Sequence, residues 1–144
     1  MIVSQILKSK ESTGVVSVKP SDPVSAAVAL LSEKRIGTVV VSSDGVALDG
    51  ILSERDVVRE LGKRGAPCLS DEVSALMTSK LITCTPSDKA DAVLEKMTAG
   101  RFRHMPVIED GKMIGLISIG DLVKARLSEL AMEKDALQGM IMGH

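Results

Sequence analysis

Apolar residues in this chain fall into short runs of branched aliphatics and longer stretches at helical spacing, and these come twice in the same order. Residues 3–10 give one apolar turn and a polar loop. Val15-Val16-Ser17-Val18 is a short β-rich run halted by Pro20. Ser21-Asp22-Pro23 predicts a helix start, with serine or aspartate as cap and proline in the first turn. Val24, Ala27, Val28 and Leu31 then keep helical spacing towards a stop near Gly37. Thr38-Val39-Val40-Val41 predicts a buried strand, Ser42-Ser43-Asp44-Gly45 a hairpin turn, and Gly50-Ile51-Leu52-Ser53 a second strand. The helix after it should stop near Gly62-Lys63-Arg64-Gly65. From Val73 the order restarts. Val73-Ser74-Ala75-Leu76-Met77-Thr78-Ser79-Lys80 echoes the opening, and Ile82-Thr83-Cys84-Thr85-Pro86-Ser87-Asp88 matches residues 16–22 at a spacing of 66. A helix with Ala92, Val93 and Met97, the strand Met105-Pro106-Val107-Ile108, the turn Glu109-Asp110-Gly111, a last strand and a last helix complete the second copy.

The most exact repetition is Gly50-Ile51-Leu52-Ser53-Glu54-Arg55-Asp56, which returns as Gly115-Leu116-Ile117-Ser118-Ile119-Gly120-Asp121, 65 residues on. Each copy ends a strand and starts a helix, so each puts a hydroxyl and a carboxylate at a strand-to-helix corner. Ser-x-x-Asp is compatible with a plain capping box. The same corner also offers unpaired N–H groups and a partial positive charge for a phosphate, and a carboxylate for the two hydroxyls of a ribose. Duplication of the corner favours the second reading without removing the first.

Composition narrows the field. A chain of 144 residues can bury a real core, and 44% hydrophobic with 26% charged residues is globular usage. A net charge of −1 and a single aromatic residue, Phe102, argue against nucleic acid as a partner. No signal peptide or membrane-length apolar run is visible, and Cys68 and Cys84 form neither a close pair nor a metal motif, so the expectation is a cytoplasmic protein with buried thiols. Catalysis is not expected. Glu54 and Asp56 diverge on a helix, and Ser53 and Ser118 have no assigned base. His104 has no second ligand at metal spacing, and Met97, Met105, Met113 and Met132 fit core packing.

The element order, the Pro-Ser-Asp helix start, Arg103-His104-Met105-Pro106-Val107 and the two Gly-aliphatic-aliphatic-Ser-x-x-Asp stretches resemble the cystathionine-β-synthase (CBS) domain family, in its tandem form. The resemblance implies an α/β fold of α+β layers, each small sheet covered by helices. CBS domains would occupy residues 1–66 and 73–130, with a connector at 67–72 and a C-terminal helix extension at 131–144. It also implies a stand-alone, energy-sensing regulatory module, not an enzyme. Such a module binds AMP, ATP, NAD or S-adenosylmethionine in a cleft between repeats, forms homodimers and signals to another protein. The family's site carries over as two candidate sites. The first takes Ser53, Arg55 and Asp56, with Lys80, Leu81 and Ile82 against the base and His104 and Met105 near the ligand. The second takes Ser118 and Asp121, with Gly14, Val15 and Val16 against the base and Gly37 and Thr38 nearby. Arg103 would serve a phosphate at either. Because Arg55 corresponds to Gly120, the first site is expected to be the stronger. The alternative is a structural dimerisation module that has lost its ligand. For either, Val123, Leu127, Leu130 and Leu137 form an apolar stripe along the last helix that suits a second copy.

Overall fold

The structure is a computed structural model that describes residues 1–10 and 15–141. In chain order it contains α1 (Val3–Ser9), β1 (Ser17–Val18), α2 (Val24–Lys34), β2 (Thr38–Val41), β3 (Gly50–Ser53) and α3 (Glu54–Arg64). A 3-10 helix at Ala66–Ser70 leads to α4 (Val73–Leu76), α5 (Ala90–Gly100), β4 (His104–Glu109), β5 (Lys112–Ser118) and α6 (Ile119–Ile141). These elements build two compact units. One takes residues 15–83 and the hairpin tip Ile108–Ile114; the other takes residues 1–10, Cys84–Val107 and 115–141.

In the first unit β1 runs parallel to β2, Ser17 facing Val40, and β2 runs antiparallel to β3, from Thr38 opposite Ser53 to Val41 opposite Gly50. All four residues of β2 are buried, the signature of a strand covered on both faces. Val18, Val24, Ala27, Leu31, Val39, Val41, Leu52 and Val57 form the core, and Val73 and Leu76 of α4 complete it. The second unit has the matching arrangement. Val3 and Ile6 of α1 pack with Val93, Met97, Met105, Val107, Ile117 and Leu122, beside the two-stranded β4–β5 sheet.

The opening helix of each repeat therefore completes the core built by the other repeat's sequence, and the hydrogen bonds repeat as well. The N–H groups of Val3 and Ser4 donate to the carbonyls of Asp88 and Pro86, each at 2.9 Å. Those of Val73 and Ser74 donate to Asp22 and Pro20 at 2.8 and 3.0 Å. The motif glycines make these contacts possible. A Cβ on Gly50 would lie 2.7 Å from Met77 Sδ and 2.9 Å from the carbonyl oxygen of Thr78. One on Gly115 would lie 2.8 Å from Leu7 Cδ2.

Several local expectations are corrected. The N-cap of α2 is Pro23 without a side-chain cap, because Asp22 turns back to accept from the N–H of Lys19 at 2.9 Å. That helix ends at Lys34, three residues before Gly37. Arg35 closes it in the left-handed conformation (φ 53°), and Arg101 does the same for α5 (φ 57°). α3, by contrast, ends at Arg64 and closes at Gly65 (φ 73°), within the stretch expected to stop it. The second copy of the β1 run makes only a bridge from Cys84 to Val107. Ala92 is exposed, and Ala90 takes the core position. Met113 is half-buried and Met132 is 63% exposed, so only Met97 and Met105 act as core filler.

Candidate functional site

Both strand-to-helix corners fold as capping boxes, and their hydrogen bonds differ in detail. At the first, Ser53 is the N-cap of α3, and its Oγ accepts from the N–H of Asp56 at 3.2 Å. Asp56 Oδ2 accepts from the backbone N–H and the hydroxyl of Ser53, both at 3.0 Å. Asp56 Oδ1 accepts from Arg59 Nη2 at 2.7 Å. Asp56 is 6% exposed. The Ser53 hydroxyl and both carboxylate oxygens are therefore engaged within the protein.

At the second corner the Asp121 N–H donates to Ser118 Oγ at 3.1 Å, and the Ser118 N–H donates to Asp121 Oδ2 at 2.9 Å. The Ser118 hydroxyl donates to nothing among the described residues. Lys10, capping α1, reaches Asp121 Oδ2 at 2.9 Å and the Leu116 carbonyl oxygen at 2.8 Å. Burial pushes the Asp121 carboxyl up, but the Ser118 N–H and the Lys10 ammonium outweigh it and hold it below the usual carboxylate range. Three capacities stay unspent among the described residues: the Ser118 O–H, Asp121 Oδ1 and one of the three Lys10 N–H groups. A donor hydroxyl, an ammonium and a carboxylate at a helix start can receive an anion and a hydroxyl together.

The remaining candidates distribute as follows. Gly37 and Thr38 lie in the unit of the first corner: the Gly37 carbonyl accepts from Glu54 N–H at 2.9 Å, and buried Thr38 pairs with Ser53. Val15 and Val16 are half-buried in that same unit, Val16 against its core. Lys80 and Ile82 are exposed there and Leu81 is half-buried. Arg55 is exposed and makes no ion pair among the described residues. Arg103 lies beside the second corner, its carbonyl accepting from Ile119 N–H at 2.9 Å, with half-buried His104 next to it. Met105 is fully buried and packs the second core. Gly14 lies outside the described residues. Sequence reasoning missed Lys10 and Arg59. A signal for Lys10 existed, since Ser9-Lys10 in the opening segment is echoed by Ser79-Lys80.

Duplicated α/β units, each with a Ser-x-x-Asp corner, define a tandem-repeat architecture. The CBS-domain profile matches residues 3–63 and 73–128, and the chain belongs to the CBS-domain family. The mitochondrial CBS domain-containing protein CBSX3 of Arabidopsis thaliana is 38% identical over 98% of this chain and 72% of its own length. The crystal structure of a CBS-domain containing protein from Agrobacterium tumefaciens is 40% identical, with a TM-score of 0.83 over 88% of this chain and 99% of that one. The crystal structure of CBSX2 in complex with AMP is 30% identical, with a TM-score of 0.72 over 88% of this chain and 96% of that one. No helix among the described residues is long and apolar enough to cross a membrane. No group of three or more His, Cys, Asp or Glu side chains among them is placed to hold a metal ion.

Proposed function

We propose that this chain is a regulatory module, not an enzyme, that holds an adenine nucleotide at its Ser-x-x-Asp corners and signals occupancy to another protein. The observation that carries this reading is the second corner, where a hydroxyl donor, a carboxylate oxygen and an ammonium N–H are left uncommitted side by side. The carboxylate suits a ribose diol, and the serine, the lysine and the helix start suit a phosphate. AMP in the CBSX2 structure, a relative at 30% identity, supports the ligand class. Among AMP, ATP, NAD and S-adenosylmethionine we place AMP first. Two free, buried cysteines fit a reducing compartment such as the cytoplasm.

Mass spectrometry of small molecules released from the purified, denatured chain tests the reading, together with a thermal-shift panel of the four ligands. At ~100-fold above its dissociation constant a ligand adds about 2.7 kcal/mol of stability. Finding no released nucleotide and no stabilisation by any of the four would leave the structural dimerisation reading.

A specific observation supports homodimer formation under either reading. Val123, Leu127, Leu130 and Leu137 lie along one stripe of α6, and all four are exposed. Laid antiparallel on a second copy with Leu127 on Leu130, the stripe brings Arg126 of each helix opposite Glu133 of the other.

A further inference from the structure

We propose that Lys10 makes the second corner select a phosphate-bearing ligand over the bare nucleoside, by exchanging its bond to Asp121 for one to the phosphate. This rests on the nucleotide reading above. The argument starts from where Lys10 stands. It caps α1, whose backbone is fixed by Val3 and Ile6 in the second core and by the bonds to Asp88 and Pro86. The side chain is therefore the part free to move, and it is 28% exposed. Its ammonium satisfies Leu116 and Asp121 with two N–H groups and has a third left.

Loss of the Lys10 bond does not strand the carboxylate. Asp121 Oδ2 keeps the Ser118 N–H, and Oδ1 is open for a hydroxyl. A ligand that brings only a diol competes with Lys10 for this carboxylate and offers the ammonium nothing in return. A ligand that also brings a phosphate gives Lys10 a second anion, so the cation changes partner without losing charge pairing. The pairing is particular to this copy. At the first corner the carboxylate is held by Arg59 from its own helix, and the equivalent lysine, Lys80, is exposed without an ion pair among the described residues. The second copy has Lys124 where the first has Arg59, and Lys124 makes no ion pair among the described residues; a cation 111 residues before Asp121 takes up the role instead.

The test is calorimetric titration of the full chain with AMP and with adenosine, for the parent, Lys10→Met, Lys10→Arg and Lys8→Met. Lys8 is exposed two residues earlier, in the last turn of α1, so its change controls for net charge. For Lys10→Met the expected result is AMP binding weakened about tenfold, the equivalent of one charge-assisted hydrogen bond, with adenosine binding unchanged or tighter. Lys10→Arg should keep the AMP preference, and Lys8→Met should match the parent. Equal weakening of both ligands by Lys10→Met would overturn the inference, because it would mean that Lys10 only holds Asp121 in place. An unchanged AMP preference in Lys10→Met would overturn it as well. Should Lys10→Met fold poorly, Lys10→Gln keeps a donor for Leu116 and is read against the same outcomes. A parent chain that binds neither ligand would overturn both this inference and the reading beneath it.

Discussion

The same seven-residue phrase produces two corners of different character. At the first, Ser53, Asp56 and Arg59 bond to one another and the carboxylate is buried. At the second, Ser118 and Asp121 make only the two backbone bonds of the box, and a lysine from a distant helix takes the place of the arginine. Strand and helix geometry are common to both, so the difference comes from the third group. A cation at i+3 on the same helix closes the site, whereas a cation on another element leaves donors and acceptors unspent. A repeated motif therefore specifies a scaffold, and the residues outside it decide whether that scaffold is available to a ligand.

The largest difference expected between the copies is in assembly. α3 has 11 residues and α6 has 23, with Leu130 and Leu137 of the exposed stripe in the added length. Truncation after Ser128 should halve the mass measured by light scattering at low micromolar concentration. A truncated chain that stays dimeric would move the interface to the shared part of the two helices.

Next is the contrast between the motif glycines. Gly50→Ala meets the backbone carbonyl of Thr78 and should destabilise by about 2–3 kcal/mol in denaturant unfolding, as overpacking does. Gly115→Ala meets the far end of Leu7, which can turn aside, and should cost less than about 1 kcal/mol. Equal losses would show that the second unit is as tightly bound to its opening helix as the first.

The carboxylates separate binding from stability. Asp121→Ala should weaken AMP by about 1.5–3 kcal/mol, the worth of a charged hydrogen bond. Asp56→Ala should act mainly on folding, costing about 1–2 kcal/mol for a lost cap and the unpaired Ser53 groups. This reverses the order that Arg55 suggested. Stronger loss of AMP binding in Asp56→Ala would restore the first corner as the ligand site.

The smallest effect is on the acid side. The Asp121 carboxyl is held below its ordinary value in the folded state, so its contribution is present above the unfolded pKa and is lost as pH falls through the folded one. Lys10→Met should flatten this acid loss in pH-dependent unfolding. Lys8→Met should not.

Much of the fold was legible because its signals are local. The β-branched Thr38–Val41 run matches β2 in both bounds, and the Gly-x-x-Ser phrases mark β3 and the end of β5. The helix ends were less legible. Arginine in a left-handed cap gives no compositional warning, and Asp22 had two possible partners of which the sequence names neither. At the site, Ser53, Asp56, Ser118 and Asp121 were readable from spacing. Their partners were not, because Arg59 was one of several surface cations and Lys10 reaches Asp121 through tertiary structure alone. The burial of Met105 was not readable either, because its place beside His104 says nothing about which side of the strand faces the core.

The exchange of opening helices also sets a timetable for synthesis. Residues 15–83 bring together most of one core while the chain is still emerging, including the α4 that seals it. α1 is made first, yet its partners in the second core run as far as Leu122 and Ala125, more than a hundred residues later. At ~5–20 residues per second the apolar face of Val3 and Ile6 stays uncovered for about 6–24 s. Proteolysis of stalled nascent chains of increasing length should show residues 15–83 protected well before residues 1–10. It follows that a break in the connector would not yield two working halves, since each half would leave the ribosome without the helix that finishes its interior.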